Sequence, residues 1–263
     1  MAARAIWKGE LKLGSSNIPV KLYSAVTDRS THFNILEDRT QSRVKQHMVN
    51  PETNEEVPSD EIQKGYEVEP GTFVILTEED LEKLQPEPSR EIEITRFVPP
   101  EHVSSQWYDR PYYVGPDGDQ NNYFALVDAL ANKGKEGIAR WVMRGKEYAG
   151  ALRSQDDYLM LVTLRHPEEV ISAMDLPKPS GRALDKKEIA MAKQLIELLE
   201  GEFDPAEFRD EYRERVLEFI EQKAKGKKPR LHAVPSKRPS SSLDKVLSKS
   251  IATLKKQKEK AAA

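Results

Sequence analysis

The sequence contains no cysteine among its 263 residues. This absence excludes disulfide bonds, thiol nucleophiles and zinc sites built on thiolate ligands. No apolar run approaches the roughly 18 residues that a membrane-spanning helix requires. Residues 1–9 also lack the apolar stretch and cleavage site of a signal peptide. We therefore expect a protein of the reducing cytoplasm that has no contact with a membrane.

Sequence motifs for catalysis are equally scarce. There is no Walker loop, no G-x-G-x-x-G loop, no H-E-x-x-H helix and no G-x-S-x-G nucleophile turn. The five histidines lie far apart without metal-ligand spacing, and pairs of acids are common simply because the chain has 44 acidic residues. In such a chain most acidic pairs are solvated turns and helix faces. We expect no catalytic residue, no metal ion and no cofactor.

The net charge of −3 conceals a strong asymmetry along the chain. Residues 223–263 contain 13 basic and two acidic residues, a net charge of +11. The remaining residues 1–222 contain 28 basic and 42 acidic residues, a net charge of −14. A basic tail on an acidic body favours a polyanionic partner such as nucleic acid, although a tail that only improves solubility has the same composition.

Residues 1–165 consist mainly of short segments with strand character, separated by turns. Strands are predicted at 5–13, 18–23, 32–36, 43–48, 71–76, 90–98, 111–114, 137–143, 148–152 and 158–164. A short helix is predicted after Thr77 as N-cap, and a longer one over residues 122–132. Many short strands at this spacing favour a barrel or a sandwich.

The pattern changes to helices after residues 177–181, which have the composition of a hinge. Asp185 and Glu188 form a capping box that opens one amphipathic helix, predicted to end at Gly201. Asp204-Pro205 is typical of the N-cap and first turn of a second helix.

From Gly226 onward the chain is rich in Lys, Pro and Ser and is expected to be disordered. One short helix on a partner is predicted there from Leu243, Val246, Leu247 and Ile251.

Basic residues on the predicted strands are candidates for phosphate contacts. Arg140, Arg144, Lys146 and Arg153 fall on two adjacent strands, while Arg43 and Lys45 alternate with residues predicted to face inward. Cations on a rigid sheet contact the nucleic-acid backbone without reading bases. Ordinary surface salt bridges to the abundant acids explain the same residues equally well, so the residues alone leave both interpretations open.

Several segments, in the same order along the chain, resemble the bacterial Ku family. They are Arg4 to Gly9, Asn17 to Ala25, Val57-Pro58, Lys64 to Glu67, Leu76 to Leu81, Glu91 to Ile94, Pro111 to Tyr113, Ile138 to Glu147, Ala151 to Arg153, Ala192 to Ile196, Glu202 to Pro205 and Tyr212 to Glu214. Each is weak alone, but together they run from residue 4 to about residue 225. One departure is that residues 48–54 lack the C-x-x-C turn of some relatives, so no metal is expected there.

The resemblance implies a mixed β and α fold in three parts. Residues 1–180 would form a Ku-type β-barrel core with a bridging loop that encircles DNA. Residues 181–225 would form a helical C-terminal arm for dimer formation and ligase recruitment, and residues 226–263 a disordered lysine-rich tail.

The resemblance also implies a function without catalysis. A ring-shaped homodimer would bind the ends of double-stranded DNA in non-homologous end joining and recruit the multifunctional ATP-dependent DNA ligase of bacterial end joining (ligase D), in association with the nucleoid. The residues placed on DNA by position are Arg43, Lys45, Lys64, Arg140, Arg144, Lys146, Arg153, Lys225, Lys227 and Lys228.

Three other functions fit parts of the sequence. An OB-like protein would bind single strands without sequence preference, using Trp107, Trp141 or tyrosines to stack bases. A Mg²⁺-dependent nuclease would use the clustered acids. A structural dimer would be tethered to the nucleoid by the basic tail alone.

Overall fold

The computed structural model of the chain describes residues 3–178, 181, 185–226, 247 and 250–253. Its strands are Trp7–Leu13 (β1), Ser16–Ser24 (β2), Lys64–Glu69 (β3), Thr72–Leu76 (β4), Glu91–Val98 (β5), Tyr108–Pro116 (β6), Glu136–Met143 (β7), Lys146–Gln155 (β8) and Tyr158–Leu164 (β9). Its helices of more than one turn are Glu78–Lys83 (α1), Gln120–Lys133 (α2), Lys186–Leu199 (α3) and Glu211–Ala224 (α4). The chain divides into two units, Met1–Asp175 and Leu176–Ala263.

Seven strands of the first unit close into a barrel in the order β1-β2-β6-β9-β8-β7-β5. Neighbouring strands are antiparallel except for β1 and β5, which pair in parallel with Leu11 opposite Ile92. Because β1 lies between β2 and β5, the chain leaves the barrel at Ser24 and returns at Glu91 on the two sides of one strand. The mixed β and α fold with a barrel is thereby confirmed.

Period-two alternation fills the interior of this barrel. Side chains two residues apart in a strand share a face, and Val20 and Leu22 of β2 are fully buried while their neighbour Lys21 remains partly exposed. Leu11, Ile92, Val114, Leu152, Leu159 and Leu161 are likewise fully buried. The closed sheet therefore has one apolar core, as small barrels do when side chains occupy the whole interior.

Helix α2 is joined to the barrel by a buried tyrosine. The helix begins after Asp119, whose carboxylate accepts a hydrogen bond from the Asn122 amide, and ends at Gly134 in the left-handed conformation. The Tyr123 hydroxyl donates to the Val114 carbonyl oxygen at 2.5 Å and accepts from the Leu159 amide at 2.9 Å. Because Val114 and Leu159 are the last partners of the β6–β9 ladder, the tyrosine fixes the helix to the end of that ladder.

The segment of residues 25–90, between β2 and β5, contributes little to the core. It contains the β3–β4 hairpin and α1, which begins after the N-cap Thr77, as predicted. Thr77 and Asp80 also form a reciprocal capping box. Large apolar side chains of the hairpin remain exposed, with Tyr66 at 67% and Phe73 at 60%. This segment therefore presents apolar surface that a single chain leaves in water.

The predicted strands at 32–36 and 43–48 are wrong. This region has only two isolated bridges, Leu36 with Arg43 and Val49 with Glu56. The side chains expected to face inward, Val44 and Met48, are exposed. Alternation predicts a strand only where a neighbouring strand and a core are present to bury one face, and the 25–90 segment supplies neither at this point.

The second unit contains α3 and α4. The capping box of Asp185 and Glu188 opens α3, as predicted. The second helix does not begin at Asp204-Pro205, because those residues form only a single 3₁₀ turn over Pro205–Glu207. Helix α4 begins at Glu211, where the carboxylate of the N-cap Asp210 accepts from the Arg213 amide at 2.9 Å. Asp204 and Asp210, six residues apart, are both N-caps, and α4 begins after the second of them.

The short helix predicted in the tail is described only in part. Leu247 and residues 250–253 are helical, and the side chains of Leu247 and Ile251 are buried. Leu243 and Val246 lie outside the described residues. Within the part of the chain that the structure describes, no helix is both long and apolar enough to cross a bilayer.

Candidate nucleic-acid interface

The β7–β8 hairpin carries three exposed cations, two of them at its turn and one within β7. Met143 pairs with Lys146, so Arg144 and Gly145 form a two-residue turn, and both have positive φ angles of 54° and 72°. Positive φ at both positions is the pattern of a type I′ turn, whose twist matches that of the flanking strands. An arginine in the left-handed region is uncommon, so the turn holds this charge at the tip at some local cost.

The hairpin is rigid because its other face belongs to the barrel core. Ala139, Trp141 and Met143 are buried, and the intervening Arg140 is exposed. Trp141 also stacks on Tyr148 of the neighbouring strand, with ring centroids 5.4 Å apart. The structure thus corrects one candidate of the single-strand interpretation, because an indole that is 2% exposed offers no face for a base.

Arg140, Arg144 and Lys146 form what we term the hairpin cations. All three are exposed, and none has an ion pair within the described part of the chain. Two acids lie close by in sequence or register, Glu147 next to Lys146 and Glu93 opposite Arg140 on β5. The patch is therefore a small positive site on an acidic body, held on a fixed strand pair.

Arg153, the fourth predicted residue of this group, has an internal role. Its Nη1 lies 3.3 Å from Oε1 of Glu136, a carboxylate that is only 1% exposed. The Tyr108 hydroxyl donates to the other oxygen of Glu136 at 2.6 Å, and the Arg153 guanidinium lies 5.2 Å from the centre of the Tyr108 ring. Burial, together with the hydrogen bond to Glu136, raises the pKa of Tyr108 to about 12. The three side chains join β6, β7 and β8.

This cluster was not predicted from the sequence. Glu136 is one of 44 acidic residues, and Tyr108 lies 28 positions away from it. No local spacing marks the pair, because β6 and β7 are separated in the barrel by β9 and β8 and the contact depends on how the barrel closes. A contact of Arg153 with DNA stays a prediction, but the structure already uses its charge to neutralise a buried carboxylate.

The other predicted cations lie elsewhere. Arg43, Lys45 and Lys64 are exposed residues of the 25–90 segment, and Lys64 is the first residue of β3. No hydrogen bond or ion pair joins them to the hairpin cations in the described ranges. Lys225 follows α4 and pairs with Glu221 at 3.3 Å. Lys227 and Lys228 lie outside the described residues.

Replacing Arg153 with glutamine should lower the free energy of unfolding. Removing one partner leaves Glu136 buried with only the tyrosine hydroxyl, and solvent access to the Arg153 side chain limits the loss to about 2–3 kcal/mol. Arg140→Gln is the matched control, expected to change stability by less than about 0.5 kcal/mol because its side chain is exposed and unpaired. Urea unfolding followed by circular dichroism measures both, and equal stability of the two variants would contradict the structural role of Arg153.

Comparison with known proteins identifies the family. A family model described as the Ku70/Ku80 beta-barrel domain matches residues 12–191. The chain is 36% identical over 256 residues to non-homologous end joining protein Ku 2 of Geotalea uraniireducens, covering 97% of this chain and 99% of that protein. It is 37% identical to the Ku protein of Archaeoglobus fulgidus (85% and 89% covered) and 35% identical to that of Pseudomonas aeruginosa (88% and 80% covered). The resemblance seen in the sequence is thus confirmed, and the chain belongs to the Ku family.

Proposed function

We propose that this protein binds the ends of double-stranded DNA in non-homologous end joining and has no catalytic activity of its own. The observation that carries the proposal is the match to the Ku family across the barrel and most of the chain. The relatives are named for end joining, and the exposed hairpin cations supply a surface suited to a polyanion.

The hairpin cations would contact phosphates and not bases. Guanidinium and ammonium groups on a rigid strand pair can neutralise backbone charge in any sequence. A protein that repairs breaks must accept every terminal sequence, so recognition through the backbone suits the task. The acidic charge of residues 1–222 would oppose binding of DNA elsewhere on the body.

A ring-shaped homodimer gives selectivity for ends. A closed ring can enter DNA only where the duplex ends, so selectivity would come from threading and not from reading bases. The exposed apolar side chains of the 25–90 segment, among them Tyr66 and Phe73, support a second copy as partner, because surface of this kind in a soluble protein marks an interaction site. In this arrangement Arg43, Lys45 and Lys64 would lie on the DNA-encircling bridging loop that belongs to the core of residues 1–180.

The C-terminal parts would serve recruitment. Residues 181–225 would form the arm that packs on the partner subunit and, with the segment after it, binds the multifunctional ATP-dependent ligase of end joining. The amphipathic helices α3 and α4 support this, since Ile196 and Tyr212 remain exposed at 68% each. Residues 226–263, including Lys227 and Lys228, would add contacts to DNA. They would thereby contribute to association with the nucleoid.

Removing the hairpin cations should weaken DNA binding and its dependence on salt. The variant combines Arg140→Gln, Arg144→Asn and Lys146→Gln, with asparagine chosen because it tolerates the left-handed turn. If each cation neutralises one phosphate, the slope of log K against log salt concentration falls by about 2.7. Gel shifts with a blunt duplex at several salt concentrations measure this slope.

The matched control removes three exposed charges away from the hairpin and outside the arm, as Lys133→Gln, Arg110→Gln and Lys178→Gln. It should keep the wild-type slope within about 0.5. Equal slopes for the hairpin variant and the wild type would remove the hairpin from the DNA-binding surface.

Blocking DNA ends should abolish binding. A linear duplex is offered to the protein with open ends or with both ends covered in advance by streptavidin. Threading predicts binding to the open duplex alone, and the result should be the same after deletion of residues 227–263. Equal binding to open, capped and circular DNA, lost on deleting the tail, would instead support simple tethering, and a preference for single strands would support the OB-like alternative.

A further inference from the structure

A pocket of about 590 Å³ lies beside the turn of the β7–β8 hairpin. Its walls come from the start of β1, the residues that lead into β5 and the hairpin turn, and include Trp7, Arg90, Val142 and Arg144. The volume is within the range of roughly 300–1,000 Å³ typical of small-ligand sites. The pocket therefore has room for a ligand larger than a single phosphate group.

The polar side of the pocket is cationic. Arg90 and Arg144 are exposed and have no ion pair within the described part of the chain. A third lining cation, Lys8, is already paired with Asp117 at 3.2 Å. No acidic side chain is among the described residues that line the pocket. Two unpaired guanidinium groups at one pocket suit a phosphate, which arginine binds through two parallel hydrogen bonds.

The apolar side of the lining is built on the flat Trp7 indole. The Trp7 indole lies across Gly9, since a Cβ atom on that glycine would come within 2.0 Å of the indole Cη2 and 2.2 Å of the Arg90 carbonyl oxygen. Trp7 also packs against the barrel core, which fixes the ring. Pro86 and Pro88 complete this side with restricted backbones. Such a surface suits a nucleobase, because every base has a face that stacks on an aromatic ring.

Contacts between the walls fix the geometry of the pocket. The Arg90 carbonyl oxygen accepts a hydrogen bond from the Glu10 amide at 2.8 Å, so Arg90 is tied to β1. The side chain of Gln85 lies against Gly145, where an added Cβ atom would be 2.6 Å from its Oε1. The hairpin turn and the residues that return to the barrel therefore pack directly on each other. A pre-formed site costs little ordering entropy when a ligand binds.

We propose that this pocket binds one nucleotide, with its phosphate on Arg90 and Arg144 and its base on Trp7. The ligand chemistry is that of a 5′-phosphorylated nucleotide, supplied either by a free mononucleotide or by the terminal nucleotide of a DNA strand. The site goes beyond the sequence-independent backbone contacts proposed above. It shares Arg144 with the hairpin cations, but Arg90 and Trp7 would recognise a single unstacked unit. It does not depend on a ring or on a dimer.

Equilibrium dialysis of the full chain with radiolabelled deoxyadenosine 5′-monophosphate tests the site without any DNA. The mononucleotide should bind more tightly than deoxyadenosine or inorganic phosphate, since each of those lacks half of the contacts. Arg90→Gln should raise its Kd about tenfold, the change that follows from losing about 1.4 kcal/mol. Arg96→Gln, on β5 but outside the pocket, should leave the Kd unchanged.

Arg90→Lys guards against a folding defect, because it keeps the charge but loses the two-pronged guanidinium and should give an intermediate Kd. The proposal is overturned if the mononucleotide binds no better than deoxyadenosine, or if Arg90→Gln and Arg96→Gln bind it equally. Because no DNA is present, either result leaves end binding itself untouched.

A second arm identifies the source of the nucleotide. Duplexes with a one-nucleotide 5′ overhang carry either a 5′-phosphate or a 5′-hydroxyl. A wild-type preference for the phosphate that disappears in Arg90→Gln, and that free mononucleotide competes away, assigns the pocket to the strand terminus. Mononucleotide binding without such a preference assigns it to the free nucleotide. Absence of both results contradicts the site.

Discussion

The parallel pairing of β5 with β1 is the constraint on which the rest of the first unit depends. It closes the barrel around Leu11 and Ile92, which are both fully buried. It also requires the 25–90 segment to begin and end beside β1. This segment can therefore extend from the barrel without separating the barrel strands. The residues that enter β5 are thereby held against the hairpin turn, where the pocket lies.

The β7–β8 hairpin combines three tasks within one strand pair. Its inner face supplies Trp141 to the core, and its far end supplies the buried Glu136 and its ion-pair partner Arg153. Its tip carries Arg144 in a left-handed conformation. Because the first two tasks fix the backbone, only the side chains at the tip remain to be ordered when a ligand binds. A substitution that removes a charge from this hairpin can therefore be interpreted in terms of DNA binding only if the stability of the variant is measured as well.

The barrel strands could be predicted from the sequence because each has a partner and a core. Alternation marked β2, and apolar runs with turn residues marked β7 to β9. Alternation gave a wrong strand at 43–48, where nothing buries one face. The N-cap pattern gave a wrong helix start at Asp204, because a second capping residue six positions later opens the helix. Of the site, the hairpin cations were predictable from clustering in sequence. The Glu136 cluster and the Arg90 pocket were not, since both depend on which distant segments the barrel brings together.

Retention on DNA after loading tests encirclement most directly. The protein is first loaded on a linear duplex, both ends are then covered with streptavidin, and the salt concentration is raised until phosphate contacts are lost. A ring predicts that protein stays on the capped duplex and leaves an uncapped one, because only the topological link survives high salt. Equal release from both duplexes would show that the protein is held by charge alone and would contradict encirclement.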